Sequence, residues 1–203
     1  TLEVIKNEKH ITKWISEKDE GIYDAINKGL KISEGKYINT INSGDCYYSS
    51  ESFNIINNYF EKNNVSFIFG AVLKKKVYYK YEPEKMLWTF NFYPSHSSGF
   101  FIKKKVHDEV GDYSLRYPCS SDYDFFWRLI KKNKHKGLST KKNEIIGVFE
   151  PGGFSANYGV FKHIWEETLI RFHNKQNKIV VITILILRLI KNSIKVLFRM
   201  GKS

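Results

Sequence analysis

Residues 16–45, SEKDEGIYDAINKGLKISEGKYINTINSGD, constrain this chain most, because their periodicity changes twice within one short stretch. Residues 16–20 read as loop. From Ile22 the apolar positions Ile22, Ile26 and Leu30, joined by Ala25, recur at helical spacing, and Gly35 supplies a stop. Residues 37–41 then alternate as a strand does, and the turn-prone Asn42-Ser43-Gly44-Asp45 follows. A helix that runs straight into a strand points to an α/β sheet. In open sheets of that class ligands bind beyond the carboxyl ends of the strands. An aspartate standing there can hold a hard divalent cation against a phosphate, since such ions take oxygen ligands. The expectation is an enzyme that handles a nucleotide or another phosphorylated donor.

The rest of the chain supports α/β. Residues 1–10 read as the end of a helix and 11–15 as a short strand. Residues 50–62 form a second amphipathic pattern, with Phe53, Ile56 and Phe60 on one face. Residues 65–73 and 76–82 are strand-like runs around a basic turn, 83–94 are aromatic and irregular, and 99–103 are a further strand. Ser121-Asp122-Tyr123-Asp124 has the form of a capping box, opening a helix to about Lys132 with Phe125, Trp127, Leu129 and Ile130 inward. A last strand at 145–150 ends in Pro151-Gly152-Gly153.

Charge divides the chain unevenly. The net charge is +12, yet residues 171–203 hold eight basic residues and no acidic one. Residues 1–170 carry 25 basic against 21 acidic side chains, a net of +4. A nearly balanced body argues against nucleic acid as the partner, which would need a basic stripe on a folded face. The tail suits an anionic surface. Residues 179–187 are almost wholly apolar, and Arg188, Lys191, Lys195, Arg199 and Lys202 recur along one helical face. The apolar run is shorter than the roughly 18–20 residues of a spanning helix, so a helix lying in a membrane interface is expected. Cys46 and Cys119 make no disulfide framework, and residues 1–11 contain no secretory apolar run.

Five segments taken in order carry a resemblance: residues 16–38, NSGD at 42–45, PSHSSGFFIKKKVHDEVGDYS at 94–114, SSDYDFFWRLI at 120–130 and GGFS at 152–155. With them the chain resembles the family 2 glycosyltransferases of bacterial polysaccharide synthesis, closest to the colanic-acid-type group. The resemblance implies a GT-A fold with a mixed central sheet flanked by helices, over a catalytic domain at residues 1–165, followed by a helical tail at 166–203. It also implies a nucleotide-sugar donor, Mg2+ or Mn2+, inversion at the anomeric carbon and a saccharide or lipid-linked acceptor, with the enzyme on the inner face of the plasma membrane. Residue by residue, it gives Asp45 to the metal and Asp122 to the catalytic base, with Asp124 structural. It places Asp19, Asp24, Asn27, Asn42 and His96 around the donor. An ionised Asp122 is expected from its place at a helix N-terminus.

Two departures stand out. Gly44 occupies the place of the first of two aspartates common in the wider family, and the family's opening strand–helix–strand unit is not found before residue 16. Such a unit needs roughly 30 residues, so the chain reads as an N-terminally truncated catalytic domain. The alternatives are an inactive remnant of the same fold and a basic, non-enzymatic membrane-interaction module.

Overall fold

The computed structural model describes residues 2–89, 91–94, 97–150 and 158–200, with side chains to residue 194. Helices α1 (Leu2–Asn7) and α2 (Ile22–Ile32) precede strand β1 (Tyr37–Asn39), β2 (Cys46–Tyr47) and helix α3 (Ser52–Lys62). Strands β3 (Phe67–Phe69), β4 (Ala71–Leu73), β5 (Val77–Tyr78) and β6 (Phe100–Lys103) follow, then α4 (Lys104–Val110) and α5 (Ser121–Trp127). A π turn at Arg128–Lys132 extends α5; β7 (Gly137–Ser139), β8 (Ile145–Val148), α6 (Val160–His173) and α7 (Lys178–Met200) complete the order.

The expected mixed sheet is present as two four-stranded sheets, ordered β1-β6-β3-β7 and β2-β8-β4-β5. The run at 65–73, which the sequence presents as one strand, is divided by Gly70 between the two. Its N–H bonds the Gly99 carbonyl at 2.7 Å, and a Cβ there would stand 2.5 Å from Ile146 Cγ1. Only glycine lets the backbone come that close. Residues 11–15 are not a strand: they carry no strand pairing, and Ile11, Trp14 and Ile15 are exposed.

Period-two alternation divides the core. Phe67, Phe69, Phe100 and Ile102 face a large cluster with Leu30, Tyr93, Tyr123, Phe125 and Phe126, while Ile68 and Phe101 face Ile56 and Phe60 of α3. Burying a side chain such as Ile56 or Phe60 stabilises by about 1.5–3 kcal/mol. Phe53 lies on that same face, three residues before Ile56 and seven before Phe60, yet in the first turn of α3 it is exposed, with its ring centroid 4.5 Å from that of Tyr47. The 165/166 boundary falls inside α6, whose Ile164, Glu166, Glu167, Ile170 and Arg171 are buried.

Candidate active site

Helix α5 begins without a capping box. Ser120 stands at the N-cap with no side-chain capping bond, and the Ser121 hydroxyl is buried without a partner among the described residues. Glu166 on α6 replaces it: one carboxylate oxygen accepts the N–H groups of Cys119 at 3.1 Å and Ser120 at 2.9 Å, and the other accepts the Tyr158 hydroxyl. His163, one turn earlier, lies 3.2 Å from Cys119 Sγ and 3.4 Å from Ser120 Oγ.

This anchoring presents Asp122. Its Oδ1 accepts the Tyr123 N–H at 2.8 Å and the Tyr23 hydroxyl at 3.2 Å, and its Oδ2 accepts the Tyr93 hydroxyl at 3.1 Å. The Tyr93 ring is fixed between Phe69 and Phe126, at 5.1 and 4.8 Å. The helix terminus favours the ionised carboxylate, and burial works in the opposite direction. Although its surface is partly open, dense protein around the group raises its proton affinity, and this outweighs the three hydrogen bonds and the nearby His163 that oppose it. A raised carboxyl suits a group that must accept and release a proton. Asp124, by contrast, is committed to Arg128 Nε and to Asn174 Nδ2, each at 3.0 Å.

The second element is the turn before β2. Gly44 adopts φ +93°, a left-handed backbone that disfavours the aspartate common at this place and favours glycine. The Asp45 N–H closes the turn on the Asn42 carbonyl at 3.0 Å, and the Asn42 amide donates to Ser97 Oγ at 2.9 Å. Asp45 Oδ1 accepts the Glu150 N–H at 3.1 Å, while Oδ2 is buried with no partner among the described residues. Burial raises the Asp45 carboxyl above its usual range; the Glu150 backbone bond offsets part of this and the Glu150 charge adds to it. A cation would satisfy both the unpartnered oxygen and the buried charge. No three acidic, histidine or cysteine side chains cluster as a metal site among the described residues. One carboxylate with an unpartnered oxygen would leave positions for phosphate oxygens and water, as sites that take Mg2+ through one or two carboxylates do.

One segment connects the two elements. Tyr93 holds Asp122 and Ser97 holds Asn42, and four residues of chain span at most about 14 Å.

Helix α2 supplies the third part. Asp24 and Asp19 both pair with Lys28, at 2.8 and 2.9 Å, alongside Glu17 at 2.8 Å. The Lys28 hydrogen bond, helped by the Glu20 N–H, holds Asp24 below the usual carboxylate range. Asn27 is buried, and its amide is committed at both ends to the Tyr113 main chain, at 2.8 and 2.9 Å. Tyr113 in turn stacks on Tyr23 at 5.4 Å, so Asn27 supports the Asp122 carboxylate from behind. His96 and residues 152–155 lie outside the described residues. Of the aromatic residues at 88–93, Phe92 and Tyr93 are core and Trp88 is exposed.

Sequence reasoning missed Tyr23, Tyr93, Glu166 and Lys28. Tyr23, Ile26, Asn27 and Leu30 do follow an i, i+3, i+4, i+7 stripe, which marks Tyr23 as inward-facing. Glu166 carries no local pattern, since its partners lie 46 and 47 residues away.

Comparison with known proteins gives the family and the fold. Residues 1–118 match the sequence model of Glycosyl transferase family 2. A PGL/p-HBAD biosynthesis glycosyltransferase of Mycobacterium bovis is 22% identical over 112 residues, covering 53% of this chain and 43% of the relative. A glycosyltransferase of Rickettsia bellii is 24% identical over 133 residues, covering 59% of this chain and 19% of the relative. The chain thus spans less than half the length of these curated relatives. Among solved structures, residues 1–349 of S. aureus TarS in complex with UDP-GlcNAc superpose with a TM-score of 0.61 at 11% identity, covering 93% of this chain and 58% of that one. The likeness extends to the fold, and with the family match over more than half of its residues this chain belongs to glycosyl transferase family 2, with a GT-A fold.

Proposed function

We propose that this chain is the catalytic part of an inverting, metal-dependent glycosyltransferase. It would transfer a sugar from a nucleoside-diphosphate sugar to a hydroxyl of a saccharide acceptor, carried on a lipid, in bacterial cell-surface polysaccharide synthesis. The observation that carries the reading is Asp122, a carboxylate of raised proton affinity held by the hydroxyls of Tyr23 and Tyr93. Inversion by single displacement needs such a base. The acceptor oxygen forms a bond to the anomeric carbon, its proton passes to Asp122, and the bond to the diphosphate oxygen breaks. Mg2+ or Mn2+ bound by Asp45 would supply Lewis-acid neutralisation of the leaving diphosphate. Asn42 keeps the Asp45 turn closed. Asp19, Asp24 and His96 belong to the donor side, and Asn27 acts on it through Tyr113.

Two surfaces support a larger assembly. β1 has one unpaired edge among the described residues, and beside it lies a cavity of about 400 Å³ lined by Tyr37, Tyr47, Phe53 and Phe101 among others. Both suit a further strand–helix–strand unit packing there. On α7, Val181 and Ile184 are buried, whereas Ile179, Ile182, Ile186, Ile190 and Ile194 form an exposed stripe at three- and four-residue steps. No described helix is long and apolar enough to cross a membrane. The stripe and the basic tail suit peripheral docking on an anionic inner leaflet. Arg188 differs from the rest of the basic series, because it turns inward onto the buried Glu167.

The test is transfer and donor hydrolysis by the full-length protein across a panel of nucleotide sugars with Mn2+, with Asp122→Asn and Asp45→Ala alongside. Both variants should lose turnover, and unchanged activity in both refutes the site. Vesicle binding with no nucleotide or metal binding in any variant would instead identify a membrane-interaction module.

A further inference from the structure

The register of the second sheet puts a run of three lysines beside Asp45. Cys46 pairs with Val148, and Val148 pairs with Leu73, so the residues one step beyond, Asp45, Phe149 and Lys74, form a row along one sheet edge. Two hydrogen bonds confirm the row: Glu150 N–H to Asp45 Oδ1 at 3.1 Å and Phe149 N–H to the Leu73 carbonyl at 2.9 Å. Strands are spaced about 4.8 Å apart, which puts the Asp45 and Lys74 backbones about 10 Å from each other. The turn between β4 and β5 is Lys74-Lys75-Lys76, closed by the Lys74 N–H on the Lys76 carbonyl at 3.1 Å, and all three residues are exposed. Lys74 Nζ lies over the ring of Phe149, the residue between Lys74 and Asp45 in the row, 4.4 Å from its centroid.

Three like charges on one tight turn repel each other, and no salt bridge to any of the three is found among the described residues. An anion arriving at this edge relieves that repulsion and gains lysine donors at once. The only acidic side chains on the row are Asp45, which has an unpartnered oxygen, and its neighbour Glu150. We propose that the Lys74–Lys76 turn is a phosphoryl-binding element, holding a phosphate group of a substrate at the edge that carries Asp45. The chemistry is shared by two sources, the diphosphate of the donor and a phosphate borne by the acceptor. The proposal rests on the donor-side reading of Asp45 for its catalytic meaning but not for the binding itself.

The test uses the intact chain and inorganic pyrophosphate, titrated calorimetrically without metal. The wild type is compared with Asp45→Asn, with Lys74→Ala/Lys75→Ala/Lys76→Ala, and with Lys6→Ala/Lys9→Ala/Lys13→Ala, a control of equal charge in the exposed N-terminal segment. Loss of two or more charge-assisted contacts should weaken binding about tenfold or more in the turn variant only. Equal binding by the wild type and the turn variant, or an equal loss in the control, overturns the proposal. Repeating the titration with a nucleoside diphosphate plus Mn2+, and with vesicles bearing polyprenyl phosphate, identifies the source by which probe loses affinity. If Asp45→Asn leaves Mn2+ binding intact while the lysine effect persists, the reading of the metal site fails and the phosphoryl site stands.

Discussion

Replacing Tyr93 by Phe removes one hydroxyl from the Asp122 carboxylate and leaves the ring between Phe69 and Phe126. A hydrogen bond to an ionised group contributes a net of about 1.5–3 kcal/mol, against about 0.5–1.5 kcal/mol between neutral groups. Asp122 has its proton affinity raised by folding, so its favourable contribution is fully present below the unfolded carboxylate value. It is lost as pH rises through the folded one. Tyr93→Phe removes support for the charged form and deepens that loss. Its destabilisation should therefore be small in acid and reach about 1.5–3 kcal/mol where Asp122 is ionised. At about 2–4 °C per kcal/mol for a chain of this size, the melting temperature falls by about 3–12 °C at pH 8. Urea unfolding of the wild type, Tyr93→Phe, Asp122→Asn and the double variant, from pH 4 to 8, completes a cycle that isolates the pair. In the Asp122→Asn background the Tyr93 change should cost about 0.5–1.5 kcal/mol at every pH. A cost that is flat with pH and equal in both backgrounds refutes the charge-assisted clamp.

Glu166→Ala leaves the buried N–H groups of Cys119 and Ser120 without an acceptor, at about 1–3 kcal/mol each, and calorimetric melting should show the loss. Glu166→Gln, which keeps an acceptor oxygen, should recover part of it, and no difference between the two variants would falsify the capping role. Lys28→Ala removes the main cause of the depressed Asp24 titration. Asp24 should then titrate higher, toward its ordinary value, by carboxyl-detected NMR. The stabilising share of this pair, present above the unfolded aspartate value and lost as pH falls through the depressed one, disappears with it. An unmoved Asp24 titration rejects the Lys28 assignment.

What was legible in the sequence follows the range of the forces involved. Helix α2, strand β1 and the turn at Asn42 to Asp45 are encoded by spacing and turn chemistry within a few residues, and the structure places them accordingly. α4 was not anticipated, because Lys104–Val110 is short and its apolar residues Val106 and Val110 read equally as the end of a strand run. The apolar patterns at 11–15 and at Phe53 misled because a local pattern does not say whether a partner surface exists.

The sequence by itself determined the α/β class, the order of the motifs and the residue types able to do the chemistry, since these depend on periodicity and on side chains the chain carries anywhere. Tertiary structure decided the rest. Gly70 divides one apparent strand between two sheets because Ile146 and Gly99 close on it from elsewhere in the chain. Asp122 has a raised proton affinity because the protein packed around it outweighs the hydrogen bonds of Tyr23 and Tyr93, brought from 99 and 29 residues away. Solvation and charge depend on what stands within a few ångströms, and only the folded chain selects those neighbours.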